Sequence, residues 1–192
     1  MNTVIFDLGN VLVNYDWETF LRTFQFDEET FHAVAHAMFL SEVWQKGDAG
    51  LSPSEELRLF IDEAPLYEQE IRMVYEKLGG CISKYKYTDR LIEYFREKGY
   101  RIYYLSNYSE DLYNKTRESL SFIESFDGGV FSYREKCLKP DKKIYQILLE
   151  RYQIIPGEAL FFDDREENVR AAQALGIQGK VFSKETVDKI LG

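Results

Sequence analysis

A short run of β-branched and aromatic residues, Thr3-Val4-Ile5-Phe6, ends on a single carboxylate, Asp7, and breaks at Gly9. A run of this length and texture suits a strand buried on both faces of a parallel sheet. In open α/β sheets ligands collect beyond the carboxyl ends of the strands, so Asp7 stands where chemistry is expected. An aspartate that merely starts a turn would look the same in isolation. Three later runs carry matching residues at or just past their ends, and these decide the matter.

The later runs are Arg101-Ile102-Tyr103-Tyr104-Leu105, followed by Ser106-Asn107; Gly129-Val130-Phe131-Ser132-Tyr133, followed by Lys139-Pro140-Asp141; and Ala159-Leu160-Phe161-Phe162, followed by Asp163-Asp164. A fifth, Gly179-Lys180-Val181-Phe182-Ser183, lies near the end. Between them the apolar spacing is helical: 88–98 closes at Gly99, 110–120 follows, 141–152 opens at Lys139-Pro140, and 166–175 closes at Gly176. Such alternation predicts a parallel sheet with right-handed crossovers and helices on both faces.

The first crossover is too long for one helix. From Asp16 to about Tyr87 the pattern is helical throughout, with no convincing strand. Helices are expected over 17–24, 27–39, 41–46, 52–63 and 67–78. Ser52-Pro53-Ser54-Glu55 marks one start, with Ser52 as cap, Pro53 at the first helical position and Glu55 closing a capping box. The predicted organisation is a core of residues 1–15 and 88–192 with a helical cap, residues 16–87, inserted after the first strand.

The chain has 192 residues, 45% of them hydrophobic, enough for one globular unit with a substantial core. Its net charge of −9 argues against nucleic acid or an anionic membrane as partner. An anionic substrate is still allowed, because a metal ion and one lysine reverse the sign locally. Two cysteines without close spacing, Cys81 and Cys137, fit a reducing compartment, and a cytoplasmic location is expected. Asp7 interrupts the first apolar run, so neither a signal peptide nor a membrane span is predicted.

The four strand ends make physical sense together. A carboxylate can attack phosphorus as a nucleophile. It then needs a hard divalent cation, and Mg²⁺ favours one or two carboxylates with waters and phosphate oxygens; Asp7 and Asp164 could supply them. A serine hydroxyl and backbone N–H groups suit phosphate oxygens, and Lys139 supplies positive charge for the phosphoryl group in flight.

In these residues the chain resembles the haloacid dehalogenase-like superfamily from end to end. The likeness is carried by Phe6-Asp7-Leu8-Gly9-Asn10-Val11, Leu105-Ser106-Asn107, Lys139-Pro140-Asp141, and Phe161-Phe162-Asp163-Asp164 with Asn168. The helical insert is similar to that of bacterial sugar-phosphate phosphatases and of the phosphatase domain of soluble epoxide hydrolase. The resemblance implies a Rossmann-like five-stranded parallel sheet, ordered 5-4-1-2-3, under a helical cap. It implies a Mg²⁺-dependent phosphatase that forms an aspartyl-phosphate on Asp7. Ser106, Asn107 and Lys139 would bind the phosphoryl group. Asp7, Asp164 and the backbone carbonyl of Gly9 would hold the metal, with Asp163 and Asn168 holding its waters. The expected substrate is a small phosphorylated metabolite such as a hexose 1-phosphate, and the expected state a monomer or weak homodimer.

Position 9 departs from the family pattern. Family phosphatases usually carry a second aspartate there, which serves as general acid and base; this chain has Gly9. Loss of such a group costs roughly 10²–10⁴-fold, which need not abolish turnover, and a bias toward esters with good leaving groups such as anomeric phosphates is expected. Asp16 or Tyr15, at the edge of the short glycine-broken flap expected over 9–14, are candidate replacements, and Asp16 equally suits a helix cap.

His32 and His36 are four apart on a helix but lack an obvious third ligand, so a solvated or packed pair is expected rather than a zinc site. Trp17, Phe20, Phe39 and Trp44 have the spacing of helix core, and Trp44, in a short segment near Gly47, is the one expected to reach a lid. Three competing readings remain: a catalytically silent phospho-ligand binder, because of Gly9; a dehalogenase, against which the Asp163-Asp164 pair argues; and a phosphorylation-switch receiver, whose acidic pair would fall on the first strand.

Overall fold

A computed structural model describes residues 2–192. In chain order, β1 (Thr3–Phe6) and β2 (Val13–Tyr15) precede five helices, α1 (Trp17–Arg22), α2 (Glu28–Ala35), α3 (Glu42–Asp48), α4 (Pro53–Glu63) and α5 (Glu68–Glu76). Next come β3 (Ile82–Lys84), α6 (Thr88–Glu97), β4 (Arg101–Ser106), α7 (Glu110–Lys115), β5 (Gly128–Phe131), α8 (Ser132–Glu135) and α9 (Lys142–Arg151). The chain finishes with β6 (Ala159–Asp163), α10 (Glu166–Gln173), β7 (Gln178–Val181) and α11 (Lys184–Leu191).

The main sheet is parallel and runs β5-β4-β1-β6-β7. Counting only its five strands in chain order and starting from the other edge, this is the expected 5-4-1-2-3. The label differs because β2 and β3 form a separate antiparallel pair, Val13 opposite Lys84 and Tyr15 opposite Ile82. That pair corrects the expectation of a strand-free insert: runs of three residues are too short to show a period in sequence.

The central strand is sealed by its neighbours, and side-chain alternation divides its residues between two cores. Val4 and Phe6 face one side, where Phe6 stacks on Phe162 at 5.6 Å and meets Phe95 edge-on at 5.5 Å. Ile5 faces the other, against Phe161, Ile144, Tyr145 and Leu148. The register sets Phe6 beside Tyr104 and Phe162, and Asp7 N donates to Phe162 O at 2.8 Å. The ends of β1, β4 and β6 therefore open at one level.

Most helices follow the expected bounds, and the capping box at Ser52 and Glu55 forms. Two depart. The helix expected over 27–39 ends as α at Ala35 and continues as a π-helical turn, His36–Leu40, closed where Ser41 Oγ donates to Ala37 O at 2.7 Å. Such widened turns re-aim side chains and occur often at functional sites. The helix expected over 110–120 stops at Lys115, where Thr116 Oγ1 donates back to Leu112 O at 2.7 Å, a local bond that competes with helix propagation. Among the described residues no helix is long and apolar enough to cross a membrane.

Candidate active site

Asp7 follows the last residue of β1 and is 8% exposed. Its Oδ1 accepts from Leu8 N at 2.7 Å and lies 2.9 Å from Lys139 Nζ. Its Oδ2 has no protein partner among the described residues. The same ammonium group lies 2.7 Å from Asp163 Oδ2. Lys139 is thus buried between two carboxylates, brought there by the loop after α8.

Asp163 ends β6 and is fully buried. Its Oδ1 accepts from Arg165 N and Asn168 Nδ2, both at 2.9 Å; its Oδ2 takes Lys139 and a second, 3.1 Å contact with Asn168 Nδ2. Both oxygens are therefore engaged by Lys139, Asn168 and the Arg165 backbone. Asn168 in turn has a buried Oδ1 with no partner, and its carbonyl accepts from Tyr145 OH at 2.9 Å.

Asp164, next along, is half-buried and held by Asn10 Nδ2 at 3.1 Å. Asp7, Asp163 and Asp164 each place one carboxylate oxygen within 4.8 Å of the others. Burial pushes Asp7 up to about 7; Lys139 pulls it back, and Asp163 and Asp164 push it further. Burial also raises Asp164. For Lys139 burial favours the neutral form, but Asp7 and Asp163 outweigh it and keep the amine charged. Carboxylates held this close, with too little positive charge among them, form the environment a hard cation relieves.

The donors fit Mg²⁺. They are all oxygen, Asp7 Oδ2 and Asp164 remain available, the Gly9 carbonyl has no partner among the described residues, and Asn168 Oδ1 is an unsatisfied acceptor for a water.

Ser106, the last residue of β4, is 1% exposed and makes only a 3.4 Å contact to Asn107 O, so its hydroxyl is free to turn to a ligand. Asn107, next in the chain, also lines the cavity. Its Nδ2 donates to Lys139 O at 3.1 Å and its Oδ1 accepts from Lys139 N at 2.8 Å. The amide therefore clamps the lysine loop; only the backbone N–H of Asn107 is left for a phosphoryl oxygen.

These residues floor a cavity of about 600 Å³. The lining also includes Tyr15 at the end of β2 and, from the helical insert, Trp17, Phe39 and Trp44, with Gln45 and Asp48. The aromatic rings touch in sequence, Trp17 on Phe39 at 5.2 Å, Phe39 on Trp44 at 5.4 Å, and Trp44 on Tyr15 at 5.6 Å. Trp44 thus reaches the cavity as expected, while Trp17 and Phe39 serve both core and cavity. His32 and His36 are exposed and remote from it.

Sequence reasoning missed Asn10, whose amide holds Asp164, and Asp48, whose carboxyl lines the cavity without a hydrogen bond or ion pair among the described residues. Asn10 sits in the motif and could have been read; nothing in the sequence tells which way Asp48 faces.

A parallel Rossmann-like sheet thus carries a buried aspartate just past the end of its central strand, with a lysine bridging it to an acidic pair. The chain belongs to the haloacid dehalogenase-like hydrolases: that family's model matches residues 1–176. A sesquiterpene phosphatase of Aspergillus oryzae is 27% identical over 176 residues, 91% of this chain and 86% of that one. A phosphorylated carbohydrates phosphatase of Thermotoga maritima is 37% identical over 59 residues, 31% of this chain and 27% of that one. Among solved structures, a haloacid dehalogenase family enzyme of Bacteroides thetaiotaomicron, in complex with magnesium and inorganic phosphate, has a similar fold, with a TM-score of 0.77 at 24% identity over 95% of this chain and 94% of that one.

Proposed function

We propose that this protein is a Mg²⁺-dependent phosphatase that hydrolyses a small phosphorylated metabolite through an aspartyl-phosphate on Asp7. The observation that carries this reading is the free Oδ2 of Asp7, held beside Lys139 and an all-oxygen donor set. Asp7 and Asp164 with the Gly9 carbonyl would hold Mg²⁺, which supplies charge neutralisation for the incoming phosphate. Lys139, Ser106 and the backbone N–H of Asn107 would hold the phosphoryl oxygens, with Lys139 stabilising charge in the transition state. Asp163 and Asn107 keep that lysine in place. The cap excludes bulk water while the intermediate forms.

A sugar monophosphate such as a hexose 1-phosphate is the first substrate class. It is supported by the carbohydrate phosphatase relative and by Gly9, since an anomeric oxygen leaves with less help from an acid. The continuous aromatic wall of Tyr15, Trp17, Phe39 and Trp44 favours a second class, phosphates with an apolar body, and the sesquiterpene phosphatase relative points the same way. Phosphate release from a panel of hexose 1-phosphates, hexose 6-phosphates and prenyl phosphates, with and without Mg²⁺, tests both. Turnover that needs Mg²⁺ and disappears in Asp7→Asn supports the phosphatase reading. Binding of phosphate esters without release of phosphate would make the protein a binder instead.

A further inference from the structure

The site has a nucleophile and a phosphoryl clamp but no proton donor at position 9. A Cβ built on Gly9 meets nothing within 4 Å, so the space that a side chain there would enter is open cavity. The two candidates at the edge of the flap do not fill the role. Asp16 accepts from Thr19 N at 3.0 Å as the cap of α1 and does not line the cavity. Tyr15 does line it, but burial holds its phenol far above the ordinary value, which suits neither acid nor base near neutrality.

We propose that Asp48, at the end of cap helix α3, is the general acid and base for the reaction at Asp7. This rests on the phosphatase reading above. Three features place Asp48 there. Its carboxyl lines the same cavity as Asp7, Ser106 and Lys139 and has no hydrogen bond or ion pair among the described residues. Its backbone is fastened to the core: Ser132 Oγ donates to Asp48 O at 2.7 Å and also accepts from Tyr108 N at 2.9 Å, two residues past Ser106. One turn further, Gly50 O accepts from Lys136 Nζ. The end of α3 is thus tied to the same loops that carry the phosphoryl clamp. A third feature is the environment, which raises the proton affinity of the carboxyl.

Burial raises Asp48 well above the ordinary carboxylate range, the buried Glu56 on α4 raises it further, and Asp7 adds to this while Lys139 opposes it. Tyr15 from β2 and Tyr108 from the loop after β4 also face it, both neutral. Glu56 is 1% exposed and packs so tightly under Gly47 that any side chain there would overlap its carboxylate. Glu56 touches no substrate; it is a positioning residue that sets the proton affinity of Asp48.

Asp7 Oδ2 attacks phosphorus, the bond from phosphorus to the leaving oxygen breaks, and that oxygen takes its electron pair and the proton of Asp48, leaving as an alcohol. Asp48, now a carboxylate, accepts a proton from a water as its oxygen attacks the aspartyl-phosphate. The bond from phosphorus to Asp7 breaks, phosphate departs, and Asp48 is protonated again.

The test compares kcat/KM for 2,4-dinitrophenyl phosphate, whose leaving group needs no proton, with that for phenyl phosphate, whose leaving group does. In Asp48→Asn the ratio of the two should rise by about 10²-fold, since a general acid contributes roughly 10²–10⁴-fold. An unchanged ratio, whether both rates fall together or neither falls, overturns the proposal. Glu56→Gln keeps the question open to experiment if Asp48→Asn does not fold. Removing that negative charge should move the basic limb of the kcat/KM profile for phenyl phosphate to lower pH, and an unmoved limb overturns the assignment. Wild-type protein that hydrolyses neither ester with Mg²⁺ removes the phosphatase reading and this inference with it, whereas turnover of the dinitrophenyl ester with an unchanged ratio removes the inference alone.

Discussion

Lys139 Nζ and Asp163 Oδ2 lie 2.7 Å apart with side-chain exposures of 1% and 0%. A pair so thoroughly removed from water is retained only when each charge is otherwise engaged, and here each is: the lysine by Asp7, the carboxylate by Asn168 and Arg165 N. Deleting one member leaves the others buried and uncompensated. Lys139→Met should therefore lower stability by about 3–5 kcal/mol, read from urea denaturation without divalent metal, as well as abolish turnover. A melt close to wild type would mean that Asp7 and Asp163 share a proton and need no lysine.

Metal binding should be visible without turnover. Asp7 and Asp164 face each other's charge, and a cation bound to the folded state alone stabilises it by about 2.7 kcal/mol at a hundred times its dissociation constant. Mg²⁺ should raise the melting temperature of the wild type, and Asp164→Asn should reduce that rise to near zero. An equal Mg²⁺ effect in both proteins would place the cation elsewhere.

Much of this site could be read in the sequence because β1, β4 and β6 each deliver a side chain at a break in an apolar run. Asp7, Ser106 and the Asp163-Asp164 pair fall at such ends, and Lys139 follows β5 one short helix later. What was hidden depends on orientation. Asn107 stands next to Ser106 in the motif, yet its amide turns to the backbone of Lys139 rather than to the cavity. The acidic pair reads as two similar carboxylates, but Asp163 is enclosed by hydrogen bonds and Asp164 is not. Asp48 closes a short helix of the insert, and only the packing of α3 on α8 decides that it lines the cavity rather than the outer surface. The π-helical turn at His36–Leu40 has no sequence signature, although it sets Phe39 against Trp17 and Trp44.

Stability should depend on pH through Glu56. Burial, followed by the charge of Asp111, lifts its carboxyl from 4.5 to about 7 in the folded state. The folded protein then holds a proton that the unfolded chain releases, so stability is greatest below pH 4.5 from this group and declines as pH rises toward 7. The loss amounts to about 3 kcal/mol by the end of that window. Glu56→Gln should remove this slope and melt higher than the wild type at pH 8. Parallel melting curves for the two proteins from pH 5 to 8 would show that Glu56 ionises freely when folded.

Trp44 should govern binding more than chemistry. It bridges Phe39 and Tyr15 in the aromatic wall of the cavity. Truncating a ring that covers a ligand costs on the order of 1–3 kcal/mol, so Trp44→Ala should raise KM by roughly ten-fold or more for the best substrate. The turnover number should change little. A fall in kcat at constant KM would instead mean that Trp44 controls cap closure.

Position 9 offers the last test, because it is open. Gly9 needs no special backbone conformation, and a Cβ there meets nothing within 4 Å. An aspartate can therefore be introduced without displacing a neighbour, two residues from the nucleophile and at the mouth of the cavity. Gly9→Asp in an Asp48→Asn background should recover at least about ten-fold in kcat/KM on phenyl phosphate, within the range a positioned acid supplies. On 2,4-dinitrophenyl phosphate it should change little, because that leaving group takes no proton. Recovery confined to the poor leaving group would show that the two carboxyls serve the same proton from opposite walls of one cavity. An equal gain on both esters would mean that the new carboxylate acts on the metal or the phosphate rather than on the leaving oxygen.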